Sequence, residues 1–386
     1  MPLSPTFVAA IPLAIWIYLF LARGNFWQLR EDDIYLQPLA HWPRVAAIVP
    51  ARNEAETIAK AVRSLAAQEY PGEFSIIIVD DHSGDGTAAL AQKAANECGA
   101  SERVKIHSAA PLGPGWTGKL WALNEGVQAA SNDKPDFLWF TDADIEHAPD
   151  TLHRLVYRAE KDSLDLVSLM VLLQAETFPE RLLIPPFVYF FLMLYPPRWS
   201  NDPNANTAAA AGGCILLRRN VLAPIGGIAA IRGAVIDDCA LARAVKKDGG
   251  RIWMGLTRAS FSLRAYGTLT EIRDMVARTA FTQLHYSFFF LFVALAGLFV
   301  TFLLPWFSFL SGEDPAWFLA STAICLMTVT FGVTVRFYSL PWPWALTLPL
   351  AAVYYGYATC VSAARYALGR GGQWKGRAQA QRVNKH

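Results

Sequence analysis

The chain has few charged side chains for its length. Of its 386 residues, 17% are Asp, Glu, Lys or Arg and 53% are hydrophobic, and the net charge is +2. A typical soluble domain is about a quarter charged. The composition therefore excludes a disordered chain, an ordinary cytosolic enzyme and a nucleic-acid-binding protein with a global basic charge.

Cysteine is also scarce, and the five cysteines have no Cys-x-x-Cys spacing and no histidines nearby at zinc-finger spacing. This pattern predicts neither disulfides nor structural zinc, and it indicates a reducing compartment for the water-facing part of the chain. The cysteines are Cys98, Cys214, Cys239, Cys325 and Cys360.

The missing charge is concentrated in four uncharged stretches. They are 22, 34, 21 and 28 residues long: Met1–Ala22, Thr279–Gly312, Pro315–Val335 and Phe337–Ala364. A helix that crosses a bilayer needs about 20 apolar residues. We therefore predict a membrane protein with an N-terminal transmembrane anchor over residues 1–22 and a C-terminal transmembrane region over residues 279–364.

The basic residues predict the orientation. Arg23, Arg30 and Arg44 follow the first stretch, which places its C-terminal end in the cytoplasm. The tail over residues 365–386 has six basic residues and no acidic one, which also indicates the cytoplasm. Three C-terminal crossings would put that tail outside, so the total is three or four spans. The expected location is the cytoplasmic (inner) membrane.

Residues 23–278 have the pattern of one water-facing α/β domain. Apolar runs alternate with helical segments, which is typical of βαβ units and a mostly parallel sheet. In such sheets, ligands bind beyond the carboxyl ends of the strands. Strands are predicted at Val45–Val49, Ser75–Val79, Val104–His107, Asp136–Phe140 and Leu164–Val171. An apolar, proline-rich run over residues 182–197 favours a helix at the membrane surface over a buried core helix.

Acidic residues follow two of the predicted strands. Asp80 and Asp81 end the second strand, and Asp142 and Asp144 form an Asp-x-Asp after the fourth. Side chains two apart on an extended chain point the same way, and convergent carboxylates favour Mg²⁺ or Mn²⁺ with substrate phosphates. A lone Asp-x-Asp is also a common turn or helix cap, but the second acidic cluster favours a metal site.

A glycine-rich segment precedes Lys119. Residues 113–119 match parts of two nucleotide-binding patterns, but Leu120 replaces the hydroxyl residue of a P-loop, and the segment follows the third strand instead of the first. We reject both patterns. Two alternatives remain: a turn that lets Lys119 approach a phosphate, or a plain loop before a helix.

Two later segments also combine small and acidic residues. Gly212 and Gly213 would let the backbone approach a ligand closely, or would form a simple tight turn. Asp237 and Asp238 open a helical segment, where acids commonly act as caps. A shielded carboxylate at that position could instead act as a general base on an acceptor hydroxyl.

Taken together, these segments resemble glycosyltransferase family 2. The resemblance covers about residues 45–247, and the order and approximate spacing of six segments agree. The membrane architecture resembles the hopene-associated glycosyltransferases and their ceramide and carotenoid glucosyltransferase relatives. The segments are Val49–Glu54, Asp80–Thr87, Lys119 with Ala122–Gly126, Asp142–Asp144, Gly212–Gly213 and Asp237–Asp238.

The resemblance implies a nucleotide-diphospho-sugar transferase fold of the GT-A type and an inverting, metal-dependent transfer. By position, Pro50, Glu54 and Asp81 would line the nucleoside pocket, with Asp80 beside Asp81. Gly212 and Gly213 would lie on the acceptor side.

The same resemblance assigns the reacting groups. Asp142 and Asp144 would hold the ribose and the Mg²⁺ or Mn²⁺ that bridges the diphosphate, and Lys119 would stabilise the leaving diphosphate. Asp238 would deprotonate the acceptor hydroxyl, and Asp237 would help to orient it.

One family motif is missing. Processive polysaccharide synthases of the family carry a Gln-x-x-Arg-Trp block, whereas residues 274–279 keep Arg278 but neither the Gln nor the Trp. This departure favours the transfer of a single sugar, with Arg278 as a further candidate ligand of the diphosphate.

We therefore expect a membrane-bound enzyme, its catalytic domain facing the cytoplasm, that moves a sugar from a nucleotide donor, expected to be a UDP-sugar, to a lipid hydroxyl. A hopanoid or another polyisoprenoid is the expected acceptor. The alternatives are a polyprenyl-phosphate glycosyltransferase or short polysaccharide synthase, and a non-catalytic transporter or scaffold. The uncharged spans argue against a transporter. The choice between Mg²⁺ and Mn²⁺ and the oligomeric state stay open.

Overall fold

The computed structural model describes residues 4–29, 37, 39–312, 314–369, 373–374 and 377–378. Arg30 and most of the predicted basic tail lie outside the described residues. The strands are β1 (Val45–Ala51), β2 (Phe74–Asp80), β3 (Val104–Ser108), β4 (Phe137–Thr141), β5 (Ile145–His147), β6 (Leu166–Leu172), β7 (Cys214–Arg218), β8 (Ile252–Ser262), β9 (Gln373–Trp374) and β10 (Arg377–Ala378).

Helices lie between the strands and at both ends of the described chain. They are α1 (Pro5–Leu21), α2 (Ile58–Ala66), α3 (Thr87–Glu97), α4 (Gly118–Ala130), α5 (Thr151–Lys161), α6 (Phe178–Leu194), α7 (Pro197–Ser200), α8 (Asp237–Lys247), α9 (Leu269–Ala277), α10 (Ala280–Gln283), α11 (Phe288–Leu298), α12 (Leu304–Leu310), α13 (Ala316–Phe337) and α14 (Leu348–Ala367). A π-helical turn, Phe299–Leu303, joins α11 to α12.

The central sheet has eight strands in the order β3-β2-β1-β4-β7-β6-β8-β5. Strands β1 to β4 are parallel to one another, as predicted. However, β7 runs antiparallel to both β4 and β6, and β5 runs antiparallel to β8. Strands β6 and β8 are again parallel. The sheet is therefore mixed, and the prediction of a mostly parallel sheet is confirmed only in part.

The sheet is covered on both faces, which explains why all seven residues of β1 are buried. Val45, Ala47 and Val49 pack with the apolar faces of α2, α3 and α5. The alternate residues Ala46 and Ile48 pack with α4 and α8 on the opposite face. This three-layer arrangement leaves the carboxyl ends of the strands open as a binding edge.

Helix α6 is buried, which differs from the surface position favoured by its sequence. It packs against α13 and α14, and its central residues have almost no exposure. Two hydrogen bonds fix it there: Tyr189 Oη lies 2.8 Å from Thr330 Oγ1, and Tyr355 Oη donates to the Leu183 carbonyl at 2.6 Å. The helix thus connects the α/β domain to the apolar helices.

Two helices within the described residues are long and apolar enough to cross a bilayer: Phe288–Leu310, with 23 residues, and Ala316–Phe337, with 22. The N-terminal apolar helix α1 is shorter, with 17 residues. Large apolar side chains on these helices are exposed, for example Phe292 at 71% and Leu310 at 77%. Such a surface is the kind that a bilayer covers.

Candidate active site

A cavity of about 240 Å³ lies beyond the carboxyl ends of β1 and β4, where α4 and α8 begin. Ten of the twelve site residues predicted from the sequence line it. They are Pro50, Glu54, Lys119, Asp142, Asp144, Gly212, Gly213, Asp237, Asp238 and Arg278. Segments that are distant in the chain therefore meet at one place, as the strand-end argument predicts.

Lys119 lies among the carboxylates of this cavity. Its Nζ is 2.7 Å from Asp142 Oδ1 and 3.4 Å from Asp237 Oδ2. Burial alone would lower the pKa of Lys119, but the charges of Asp142, Asp237 and Asp238 outweigh burial and hold this pKa above its ordinary value. The residue is therefore a permanent cation. The glycine-rich segment before it ends in Thr117, which caps α4 by accepting a hydrogen bond from the Leu120 N–H.

Asp238 is held by two backbone groups. The Gly212 N–H donates to Oδ2 at 2.9 Å, and the Cys239 N–H donates to Oδ1 at 2.7 Å. Burial and the neighbouring Asp237 raise the pKa of Asp238. A carboxylate of raised pKa is a stronger base, and it suits proton abstraction near neutral pH.

Gly212 has a steric role in this arrangement. A Cβ at this position would lie 3.2 Å from Lys119 Nζ and 3.3 Å from Asp238 Oδ2. A side chain would therefore crowd the two charged groups. Because Gly212 has no side chain, the Lys119 ammonium group and the Asp238 carboxylate can both lie at the same wall of the cavity.

The Asp-x-Asp places two acids at the other side of Lys119. Burial raises the pKa of Asp144, and the negative charges of Asp142 and Glu54 raise it further, while Arg264 and Lys119 oppose them. Among the described residues, no three or more His, Cys, Asp or Glu form a ready-made metal site. Two carboxylates nevertheless fit a cation that takes its remaining ligands from substrate phosphates and water.

Asp80 and Asp81 lie one strand away, at the end of β2. Asp81 has no exposure, and its Oδ2 lies 3.5 Å from Arg52 Nη1. Asp80 Oδ2 accepts a hydrogen bond from the Ser83 N–H. The predicted role of Asp81 at a nucleoside base stays a prediction, because in this structure its carboxylate faces Arg52.

A second cavity, of about 950 Å³, adjoins the first. Both cavities are lined by Glu54, Asp144, Arg264, Tyr266 and Arg278. The second cavity also contains Lys60, so three cations face its interior. Six acidic side chains share this lining. The cavity's size suits a large ligand, but its charge alone does not favour an anion.

Sequence reasoning missed Arg264 and Tyr266, which lie at the junction of the two cavities. Both residues follow β8, a strand that was not predicted from the sequence. The sequence does contain a signal for this strand, because Ile252–Ser262 includes β-branched and aromatic residues. Several of the other site residues were identified as polar residues that follow a strand, and Arg264 and Tyr266 fit the same rule.

The match to a known family covers the strands that build this site. Residues 46–226 match the model of glycosyl transferase family 2. The match supports a domain of this family over this part of the chain. The matched residues include Lys119, the Asp-x-Asp and Gly212, whereas Asp238 and Arg264 follow them in the chain.

Curated relatives of the chain include two enzymes of different length. The beta-monoglucosyldiacylglycerol synthase of Trichormus variabilis is 30% identical over 126 residues, which are 32% of this chain and 25% of the relative. The probable glycosyltransferase YdaM of Bacillus subtilis is 26% identical over 225 residues, 55% of this chain and 51% of the relative. The chain thus spans between a quarter and a half of the length of these two relatives.

A solved structure shows the same fold. The mannosyltransferase PcManGT of Pyrobaculum calidifontis, in complex with GDP-Man and Mn²⁺, has a TM-score of 0.56 and 18% sequence identity, and the match covers 94% of this chain and 99% of that chain. This similarity confirms a GT-A-like α/β fold, with the mixed sheet described above.

Proposed function

We propose that the protein is an inverting glycosyltransferase that moves a sugar from a nucleotide-diphospho-sugar, with a UDP-sugar as the favoured donor, to a lipid hydroxyl. One observation carries this proposal. The smaller cavity has Lys119 and Asp238 on one wall and the aromatic side chains of Phe187 and Phe191 on another. Both aromatic residues belong to α6, the helix that packs on α13 and α14.

The apolar wall favours a lipid acceptor over a soluble one. Met170, Val171 and Leu173 continue the wall on the β6 side. A water-soluble sugar or acid would lose hydration against this wall without gaining polar partners. The name of the diacylglycerol-glucosylating relative supports a lipid acceptor. Within this class we favour a hopanoid or another polyisoprenoid.

The proposed reaction uses Asp238 as the general base. Its carboxylate takes the proton of the acceptor hydroxyl while that oxygen forms a bond to the anomeric carbon of the sugar. The bond from that carbon to the diphosphate oxygen breaks, and the nucleoside diphosphate leaves with the bonding electrons. Lys119, Arg264 and Arg278 provide positive charge where the leaving group becomes more negative.

A divalent cation fits the donor side of this site. Asp142 and Asp144 would hold Mg²⁺ or Mn²⁺. This assignment is supported by the negative charges of neighbouring acids around Asp144, because a cation would relieve their repulsion. When bound, the ion would stabilise the charge of the leaving diphosphate. The GDP-Man and Mn²⁺ in the name of the PcManGT structure agree with this chemistry.

The apolar helices support a membrane location for the proposed enzyme. We infer that residues 23–278 form a cytoplasmic catalytic domain, that residues 279–364 cross or line the cytoplasmic membrane, and that α1 anchors the N-terminal end. Support comes from the two helices of bilayer length and from Arg23, which follows α1 and donates to the Met193 carbonyl of α6. An arginine at the end of an apolar helix favours the cytoplasmic side.

Purified protein in detergent tests the function directly. It is incubated with MnCl₂ or MgCl₂, a panel of radiolabelled UDP- and GDP-sugars, and a bacterial lipid extract. We expect label in the organic phase, stable to mild acid, and dependent on the metal. A mild-acid-labile product would identify a polyprenyl-phosphate acceptor, and a water-soluble polymer would identify a polysaccharide synthase. No label in any product, and no hydrolysis of any donor, would contradict the proposal.

A further inference from the structure

Glu180 is a buried carboxylate that the proposed reaction does not use. It lies in the first turn of α6, and it has no exposed surface. Burial alone would raise the pKa of Glu180, but hydrogen bonds from the backbone of Thr177, Tyr266 and Glu176 outweigh burial and lower it. The side chain is therefore a full negative charge inside the protein, held by hydrogen-bond donors.

Three of those donors belong to its own helix start. The N–H groups of Glu176 and Thr177 donate to Oε2 at 3.0 and 2.9 Å, and the Thr177 hydroxyl donates to it at 3.0 Å. This arrangement is a capping box, which satisfies backbone groups at the start of many helices. By itself it would give Glu180 only a local role.

The fourth hydrogen-bond donor to Glu180 belongs to a residue that is distant in the sequence. The Tyr266 N–H donates to Glu180 Oε1 at 2.6 Å, across 86 positions of the chain. The short segment that ends at Tyr266 is held at its other end as well, because the Leu263 N–H donates to the Asp144 carbonyl at 2.7 Å. Arg264 thus lies between two fixed points, one on the Asp-x-Asp and one on α6.

We propose that Glu180 is a positioning residue for the nucleotide-sugar donor: by fixing Tyr266, it holds Arg264 at the junction of the two cavities. This inference rests on the proposed function. A carboxylate suits the role because its two oxygens can accept all four hydrogen bonds. A glutamine has one acceptor oxygen and one donating NH₂ group. That NH₂ group would face another donor, either the Tyr266 N–H or the N–H groups at the helix start.

The test is a double-mutant cycle on donor binding. The probe is UDP with MnCl₂, titrated calorimetrically into the full-length protein in detergent. Glu180→Gln is expected to raise the Kd for UDP roughly tenfold, and Arg264→Gln to raise it at least as much. In the Arg264→Gln background, adding Glu180→Gln is expected to change the Kd by less than about twofold, because the residue that Glu180 positions is already absent.

Thr177→Ala is the matched control. It removes a hydroxyl from the same capping box but leaves the bond between Glu180 and Tyr266, so we expect a lower Tm and an unchanged Kd for UDP. The inference is overturned if Glu180→Gln binds UDP as the wild type does, or if Thr177→Ala weakens UDP binding as much as Glu180→Gln does. It is also overturned if the effects of Glu180→Gln and Arg264→Gln on the binding free energy simply add. A wild-type protein that binds neither UDP nor GDP would contradict the proposed function, and Glu180 would then have no donor to position.

Discussion

Five carboxylates line the smaller cavity, and Lys119 lies among three of them. Asp142 and Asp237 contact its ammonium group directly, and Asp238 is close enough to raise its pKa further. Like charges at this spacing would otherwise repel and push one another towards the protonated state. Lys119 thus keeps the site charged before any donor binds, and it faces the place where the leaving diphosphate would develop charge.

A buried histidine near this site makes the stability dependent on pH. His147 lies 2.8 Å from both Thr141 Oγ1 and Ser260 Oγ, and burial lowers its pKa from 6.5 to about 3. Between these values the unfolded chain binds a proton that the folded chain does not. The contribution of His147 to the free energy of unfolding is therefore complete above pH 6.5 and falls by roughly 1 kcal/mol per pH unit below it. Asp144 and Asp238, whose pKa values are raised, contribute in the opposite direction.

Urea unfolding in detergent at pH 5 to 8 measures this effect. His147→Gln keeps a polar side chain of similar reach but cannot take up a proton. Its free energy of unfolding should therefore fall less steeply below pH 6.5 than that of the wild type. Equal slopes for the wild type and the variant would show that other groups cause the pH dependence.

The chemistry-bearing residues that follow predicted strands could be found from the sequence. Asp142, Asp144 and Lys119 follow the simple rule that parallel strands meet at one edge. Glu180 could not be found that way, because its role depends on Tyr266, 86 positions away. A capping box is visible in a sequence, but its second partner is a tertiary contact.

At the scale of the elements, the sequence patterns identified the first half of the sheet better than the second. Strands β1 to β4 alternate with amphipathic helices, and each lies within a few residues of its predicted position. In the second half, β7 pairs with β4 and β6, β8 pairs with β6, and β5 pairs with β8. These partners are distant in the chain, so no local pattern encodes the pairing. For the same reason, the burial of α6 against α13 and α14 was not predicted.

Gly126 shows how closely α4 packs on the sheet. A Cβ at this position would lie 2.3 Å from Ile48 Cγ2 and 3.0 Å from Val79 Cγ2. We expect Gly126→Ala to destabilise the protein by about 1–3 kcal/mol, because overpacking of a buried contact outweighs the better helix propensity of alanine. The free energy of unfolding in urea measures the change.

Gly297→Ala is the control for this prediction. Gly297 is also inside a helix, α11, and nothing lies within 4 Å of the position of its missing Cβ. This variant should be as stable as the wild type or slightly more stable. If Gly126→Ala behaves in the same way, the close approach of α4 to β1 and β2 is not as described.

At the scale of the whole molecule, the apolar helices support the donor side of the site. Helix α14 lies along α9, and the Ser362 hydroxyl donates to the Ala277 carbonyl at 2.5 Å and accepts from the Phe281 N–H at 3.1 Å. These two bonds flank Arg278, which lines both cavities. The C-terminal apolar helices therefore help to position a residue that lines both cavities.

Ser362→Ala is expected to weaken UDP binding several-fold, because Arg278 loses both flanking bonds. Calorimetric titration of UDP with MnCl₂ provides the measurement. Ser321→Ala is the matched control, since Ser321 bonds only within its own helix, to the Trp317 carbonyl. If the two variants bind UDP equally well, α14 does not position Arg278.

The most direct test of the central claim is the lipid content of cells that express the wild type or the Asp238→Asn variant, measured by mass spectrometry. Asp248→Asn, an exposed change at the other end of α8, is the matched control. Cells with the wild type or Asp248→Asn should contain a lipid carrying one added hexose or related sugar, and cells with Asp238→Asn at equal protein levels should lack it. The same lipid profile in all three would show that Asp238 does not act in the transfer of a sugar to a lipid.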